Sequence, residues 1–371
     1  MAEKRVLKVG VVGLGRGLHI VDSIIGESNM CLYAICDASE KRLEEGRKHF
    51  EEEKGVKDLH CFTSYEEFLA SDVEAVVVAS GVDRHVPMSI QALEAGKHVL
   101  SEIPVVNTIE EAKILKDAVR KHPNLKYFAG ENCCFWRFVV EWKKLIENGY
   151  VGKPVLIEGE YLHHEAKENT TPPDYFYEPD GSIGWRVDLN AIQYLTHELG
   201  PILYMLGDDR VVSVCGFKPD FETVEYKQGR GASNELAVFK TAKGAIIKIF
   251  IGFGVDVGFD HNFIVYGSEG MIETDRRTMV IDAHSYGRFH HMEGINGGAK
   301  IELPWTTKFP GEKDDGHGGC DTQMMKAFAK CILEDTKPPV DVDMGIQMSI
   351  AGIYAHESAV KGGIPIEIPE F

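Results

Sequence analysis

Uninterrupted apolar runs alternate with amphipathic ones through the first third of the chain. Residues 6–12, 32–36 and 75–79 (AVVVA) are apolar with almost no polar alternation, and 98–100 and 127–129 are shorter runs of the same kind. Such runs predict strands buried on both faces. Between them, residues 18–25, 40–52, 65–69, 87–95 and 109–121 carry helical patterns. Strand and helix in alternation predict a parallel sheet covered by helices, the α/β arrangement.

The pattern changes near Cys133. A helix is expected over residues 138–148, and then 155–161, 211–216, 235–240, 245–252, 261–266 and 271–273 read as strands. Turn chemistry at 242–244 and 267–270 suits hairpins, so this sheet is expected to be mainly antiparallel. Helices are expected over 191–206, 321–333 and 345–361, and a long loop over 284–319, where Gly, His and charge concentrate. The boundary falls between residues 130 and 136, giving a first domain over 1–133 and a second, α+β domain over 134–371.

A chain of 371 residues has room for two or three domains at roughly 150 residues each. Acidic residues number 58 against 40 basic, a net charge of −18. That charge repels phosphate backbones and anionic membrane surfaces, so neither a nucleic-acid nor a membrane partner is expected. No apolar run approaches the roughly 18 residues of a membrane span. The N-terminal apolar stretch is short and interrupted by Lys8, which reads as a first strand rather than a signal peptide. The eight cysteines form no C-x-x-C pair. Reduced thiols and a cytoplasmic location are therefore expected.

The first strand runs into Gly13-Leu14-Gly15-Arg16-Gly17 and then a helix. Glycines at such a turn let backbone N–H groups approach a pyrophosphate. Gly13, Gly15, Arg16 and Gly17 are the candidate cofactor residues here. The third fingerprint glycine is expected at position 18, but Leu18 stands there and Gly17 precedes it. Asp37 ends the second strand, 24 residues after Gly13, where a carboxylate accepts the adenosine ribose hydroxyls. It would repel a 2′-phosphate, so NAD is expected over NADP; nearby Lys41 and Arg42 are the features that would suit NADP.

Residues 79–104 read ASGVDRHVPMSIQALEAGKHVLSEIP. His85, the A-L-E-A-G-K-H-V of residues 92–99 and Glu102-Ile103-Pro104 resemble the Gfo/Idh/MocA family. The resemblance implies a Rossmann NAD(P)-binding domain followed by an open-faced, mainly antiparallel sheet that serves substrate and homo-oligomer contacts. It also implies that Ser80, His85, Glu102 and Pro104 line the cofactor. The family's E-K-P lysine, a proton-relay partner of the reacting hydroxyl, is Ile103 here, which can neither donate nor accept a proton.

Five further motifs follow in order: Glu131-Asn132-Cys133-Cys134; Gly159-Glu160-Tyr161-Leu162-His163; Trp185-Arg186; Tyr194-Leu195-Thr196-His197-Glu198-Leu199-Gly200-Pro201; and His317-Gly318-Gly319. They resemble the NAD-dependent α-N-acetylgalactosaminidase-like glycosidases, a branch of the same family. The branch implies a redox-neutral hydrolysis: transient oxidation at C3 of a sugar, loss of the C2 proton, elimination of the anomeric group, addition of water, and reduction again.

Such chemistry needs a base at O3, a base at C2 and an acid for the leaving oxygen. His197 is the candidate for O3, since an imidazole titrates near neutrality. Tyr161 is the candidate for the C2 proton, provided nearby positive charge lowers its pKa, with His163 on the same strand face to assist. Tyr194, three residues before His197, would share its helix face, and Glu131 would sit at the carboxyl end of the last parallel strand. Trp185, Arg186 and His317 are candidate substrate contacts. Each of these residues also has a packing or surface reading. Cys133 and Cys134 read as buried thiols. The pairs His163-His164 and His290-His291 lack zinc-type spacing, and no metal is expected. Three functions stay open at this point: the redox-neutral glycosidase, a net dehydrogenase that forms a 3-keto sugar, and a non-catalytic NAD-binding sensor.

Overall fold

The apolar runs of the first third become strands in a computed structural model that describes residues 5–164, 176–177, 181–256, 259–275, 284–289, 300–311 and 317–371. The order is β1 (Leu7–Val12), α1 (Arg16–Asp22), β2 (Met30–Cys36), α2 (Glu40–Lys48), β3 (His60–Phe62), α3 (Tyr65–Ala70), β4 (Ala75–Val78), α4 (Val82–Glu94), β5 (His98–Ser101), α5 (Ile109–Lys121) and β6 (Tyr127–Ala129). These strands form one parallel sheet in the order β3-β2-β1-β4-β5-β6. Strand order reverses between β1 and β4, and ligands of open α/β sheets bind beyond the strand ends at that place. β4 is buried at every position, as a central strand covered on both faces must be. α5 has the bounds its pattern predicts. Its Thr108 side chain accepts from the Glu111 N–H while the Glu111 carboxylate accepts from the Thr108 N–H, a cap worth about 1 kcal/mol.

The rest of the chain runs α6 (Arg137–Glu147), β7 (Pro154–His163), α7 (Thr196–Leu206), β8 (Val211–Phe217), β9 (Asn234–Thr241), β10 (Ile246–Gly252), β11 (Phe259–Gly267), β12 (Gly270–Thr274), β13 (Ser285–Phe289), β14 (Ile301–Leu303), α8 (Cys320–Leu333), α9 (Val342–Val360) and β15 (Ile366–Glu367). Its sheet has the order β14-β13-β12-β11-β7-β10-β9-β8-β15. Neighbours pair antiparallel except β7 with β10, which are parallel. Among the described residues no helix is long and apolar enough to cross a membrane.

The chain divides into two compact units, one of residues 1–131, 321–346 and 371, the other of residues 132–320 and 347–370. A single cut after residue 133 does not describe this division, because residues 321–346 return to the first unit. The stretch 284–319, expected as one loop, contains β13 and β14. Their alternation is hidden by Gly287, Arg288 and Glu302. The three-residue β3 is too short to leave a sequence pattern. The helix expected over 191–206 breaks at Leu195 into a 3-10 turn, Ala191–Tyr194, and α7. Tyr194 and His197 therefore do not share one helix, although their ring centroids lie 5.2 Å apart.

Candidate active site

In the first unit, Gly13 leaves β1 with φ at +90°, and a Cβ there would lie 2.5 Å from the Ala79 carbonyl oxygen. The turn needs glycine for its backbone angle and for that approach. Gly17 takes the role expected of position 18: a Cβ on it would stand 2.7 Å from Val11 and 3.0 Å from Ala79, so it seats α1 on the sheet. Gly15 faces open space, with nothing within 4 Å of an added Cβ. Asp37, 7% exposed, accepts from the Leu14 N–H at 2.9 Å and the Ser39 N–H at 2.8 Å. It ties the glycine turn to the end of β2, and its remaining lone pairs can accept ribose hydroxyls. Just past β4, the Ser80 hydroxyl oxygen is buried with no hydrogen-bond partner among the described residues. A buried hydroxyl of this kind calls for a partner that the described residues do not supply. The open glycine, the orphaned hydroxyl and the ribose-type carboxylate fit a dinucleotide.

Three candidate cofactor residues, His85, Arg16 and Glu102, are engaged elsewhere within this unit. His85, 2% exposed, sets Nδ1 2.9 Å from the Pro104 carbonyl and Nε2 3.0 Å from the Ser80 carbonyl, so the ring joins the turns after β4 and β5. Both nitrogens being taken, it presents no free atom to a ligand. Arg16 donates to both carboxylate oxygens of Asp321, at 2.7 and 2.6 Å, and its Nε lies 3.1 Å from Glu102. The Asp321 side chain is fully buried. Glu102 also accepts from the N–H of Ile103, and Ile103 is buried at 8% exposure. Glu131 is fully buried rather than a solvated loop carboxylate.

In the second unit, Tyr161, His163, Phe176, Arg186, Leu189, Tyr194 and Phe253 line a small open pocket. Tyr161 and His163 alternate onto one face of β7, and the Tyr161 ring stacks on Tyr194 at 6.1 Å. Arg186 donates to the Tyr194 hydroxyl at 3.0 Å and lies 4.8 Å from the Trp185 ring centroid. His197 at the start of α7 stands edge-on to Tyr161, centroids 5.7 Å apart, with Nδ1 3.4 Å from the Cys133 sulfur. The carbonyl oxygen of His317 accepts from the Trp136 indole N–H at 3.2 Å, and the residue is exposed. His164 lies 3.7 Å from Asp256. His290 and His291 lie outside the described residues. None of the eight cysteines is in a disulfide.

Electrostatics reverse one expectation. Tyr161 can serve as a base only with a lowered pKa. Burial pushes its pKa well above the ordinary phenol value, Tyr194, Glu198 and Cys133 reinforce the rise, and Arg186 opposes it. The group is therefore held as a neutral phenol, a proton donor. His163 moves the other way: burial lowers its pKa, with Arg186, His197 and His164 acting in the same sense. It faces the pocket as a neutral imidazole.

Two residues of this cluster escape a reading of the sequence. His261 on β11 pairs directly across from Tyr161 on β7, and its Nδ1 lies 2.5 Å from Glu198 Oε1. Only the strand register reveals His261. Glu198 is hidden as the residue beside His197, turned by the helix toward the sheet. In the first unit Asp321 escapes for a similar reason, being 305 residues from Arg16.

Three family models match the chain. Residues 7–130 match "oxidoreductase family, NAD-binding Rossmann fold", residues 139–273 the "GFO/IDH/MocA C-terminal domain", and residues 208–371 "glycosyl hydrolase 109, C-terminal domain". A glycosyl hydrolase family 109 protein of Shewanella baltica is 24% identical over 398 residues, 99% of this chain and 85% of its own length. An alpha-N-acetylgalactosaminidase of Shewanella oneidensis is 24% identical over 401 residues, with coverages of 99% and 85%. Among solved structures, levoglucosan dehydrogenase in complex with NADH and L-sorbose has a TM-score of 0.80 at 19% identity, covering 99% of this chain and 100% of that one. Scyllo-inositol dehydrogenase from Lactobacillus casei, with NAD(H) and scyllo-inositol bound, has a TM-score of 0.76 at 18% identity, with coverages of 98% and 99%. These two likenesses establish the fold.

Proposed function

The chain belongs to the Gfo/Idh/MocA oxidoreductase family, and from that premise we propose that it is an NAD-dependent, redox-neutral glycosidase. Its substrate class is a pyranoside with a free C3 hydroxyl. An N-acetyl-α-galactosaminide is the first glycoside to try, from the name of the Shewanella oneidensis relative. The observation that carries the reading is the concentration of titratable groups around one pocket of the second unit, while the E-K-P lysine position of the first unit is a buried isoleucine. The match of residues 208–371 to the glycosyl hydrolase 109 domain supports it.

Gly13, Gly15, Gly17, Asp37 and Ser80 would hold the dinucleotide. When bound, NAD supplies the acceptor and later the donor of a hydride at C3. The chain's own groups move the protons. His197 takes the O3 proton. His163, neutral and facing the pocket, takes the C2 proton once C3 is a ketone, in place of Tyr161. Tyr161 gives its phenolic proton to the departing glycosidic oxygen, and water adds at C1. Arg186 holds the Tyr194 hydroxyl in place to orient the sugar.

Incubating the purified protein with aryl glycosides and catalytic NAD tests this. Phenol release without accumulating NADH is expected. NADH rising in step with substrate loss would instead mark a net dehydrogenase, and no reaction with bound NAD would leave the sensor. The proposal includes a homo-oligomer through the face of the second sheet that carries Leu156, Leu236, Ile246 and Phe250 in register, all incompletely buried. Light scattering should show an assembly that Ile246→Glu weakens; a monomer in the unaltered protein would refute it.

A further inference from the structure

We infer that His261 and Glu198 form a buried positioning pair for Tyr161, one that seats its ring and keeps a negative charge beside it. This rests on the proposed role of Tyr161 as a proton donor. The His261 imidazole lies 13° from parallel to the Tyr161 ring at a centroid distance of 4.2 Å, a face-to-face stack. The His261 side chain is 4% exposed, so it acts through Tyr161 rather than on substrate. Trp136 packs edge-on against His261 at 5.0 Å and 73°. The Nδ1–Oε1 bond of 2.5 Å joins side chains that are 4% and 0% exposed.

The seat is built from both partners' elements. Glu198 fits against β7 only because residue 159 is glycine; a Cβ there would stand 2.9 Å from the Glu198 Cβ. Glu198 is also in the first turn of α7, the end of a helix that favours an anion. Burying a carboxylate is costly unless it is paired, and this one is paired with His261.

The charge state follows from the surroundings. Burial pushes the His261 pKa well below the ordinary imidazole value, and His197, His163 and His317 push it the same way. In the proposed pair a neutral His261 donates its Nδ1 proton to an ionised Glu198, the charge that helps to raise the Tyr161 pKa. Of the groups facing Tyr161, Cys133 and Tyr194 also disfavour a phenolate and Arg186 favours one. His163 and His197 border it edge-on, at 5.9 and 5.7 Å.

Nitrogen-15 spectra of the histidine-labelled protein test the pair without any substrate, so the result is independent of the glycosidase reading. The His261 signal is assigned by its loss in His261→Phe. A neutral ring protonated at Nδ1, unchanged between about pH 5 and pH 8, is expected; an imidazolium at neutral pH would overturn the proposal, because the pair would then carry no net charge. The second arm compares Glu198→Gln with the unaltered protein by ultraviolet phenolate titration, each against its own Tyr161→Phe background. Tyr161 should ionise at a pH lower by about one unit or more in Glu198→Gln. An unchanged or later onset would overturn the proposal.

Discussion

Arg16 and Asp321, 305 residues apart in sequence, meet through two parallel N–H···O bonds of 2.7 and 2.6 Å. The fork of the guanidinium matches the carboxylate, and the Asp321 side chain is fully buried. The pair fastens the start of α8 beside the glycine turn and so shapes the cofactor half of the protein. Asp321→Asn removes one charge and leaves the other half-buried. A loss of about 2–4 kcal/mol is expected in urea unfolding. A change below about 0.5 kcal/mol would mean that the bond pair adds nothing to stability.

The two glycines of the turn should behave differently. Gly13→Ala forces a Cβ against the Ala79 carbonyl at a φ of +90° and should destabilise the fold. Gly15 has a φ of −71° and open space around it, so Gly15→Ala should fold normally. Its methyl would project where the pyrophosphate must approach. NAD affinity should fall at least about tenfold, about 1.4 kcal/mol, by fluorescence titration, with an unchanged Tm. Full NAD affinity in Gly15→Ala would move the cofactor away from this turn.

Tyr161→Phe keeps the stack on His261 and removes only the hydroxyl. General acid–base groups contribute about 10²–10⁴-fold, so kcat should fall by that order while KM changes little. His163→Gln should lose turnover comparably but retain binding. Equal activity in Tyr161→Phe would remove the phenol from the proton transfers.

Acid should weaken the fold through buried histidines. His163 and His261 have folded pKa values below the ordinary one. As pH falls below about 6.5, the unfolded chain takes up protons that the folded chain refuses. Stability is then full above that pH and is lost as pH falls through the lower, folded values. Melting curves between about pH 5 and pH 8 should show this decline, and a smaller one in His163→Gln. An equal slope in that variant would remove His163 from the account of the decline.

Most of the parallel sheet was legible because its strands are buried on both faces and therefore apolar throughout. The glycine turn and Asp37 were legible because they obey a spacing. β13 and β14 were not, since an exposed edge of an open sheet tolerates Gly287, Arg288 and Glu302. The site was legible only where motif and geometry coincide, as at Tyr161, His163, Tyr194 and His197. Asp321 and His261 depend on tertiary contact and strand register, which no local pattern encodes. The reversal at Tyr161 is of the same kind: a tyrosine in a sequence does not reveal whether burial or Arg186 dominates its surroundings.

Cleavage of an aryl glycoside in heavy water tests transient C3 oxidation most directly. With C3 a ketone, the C2 proton is removed and later replaced from solvent. The released sugar should carry deuterium at C2 by NMR, with no net NADH formed. Cleavage that leaves protium at C2 would contradict it.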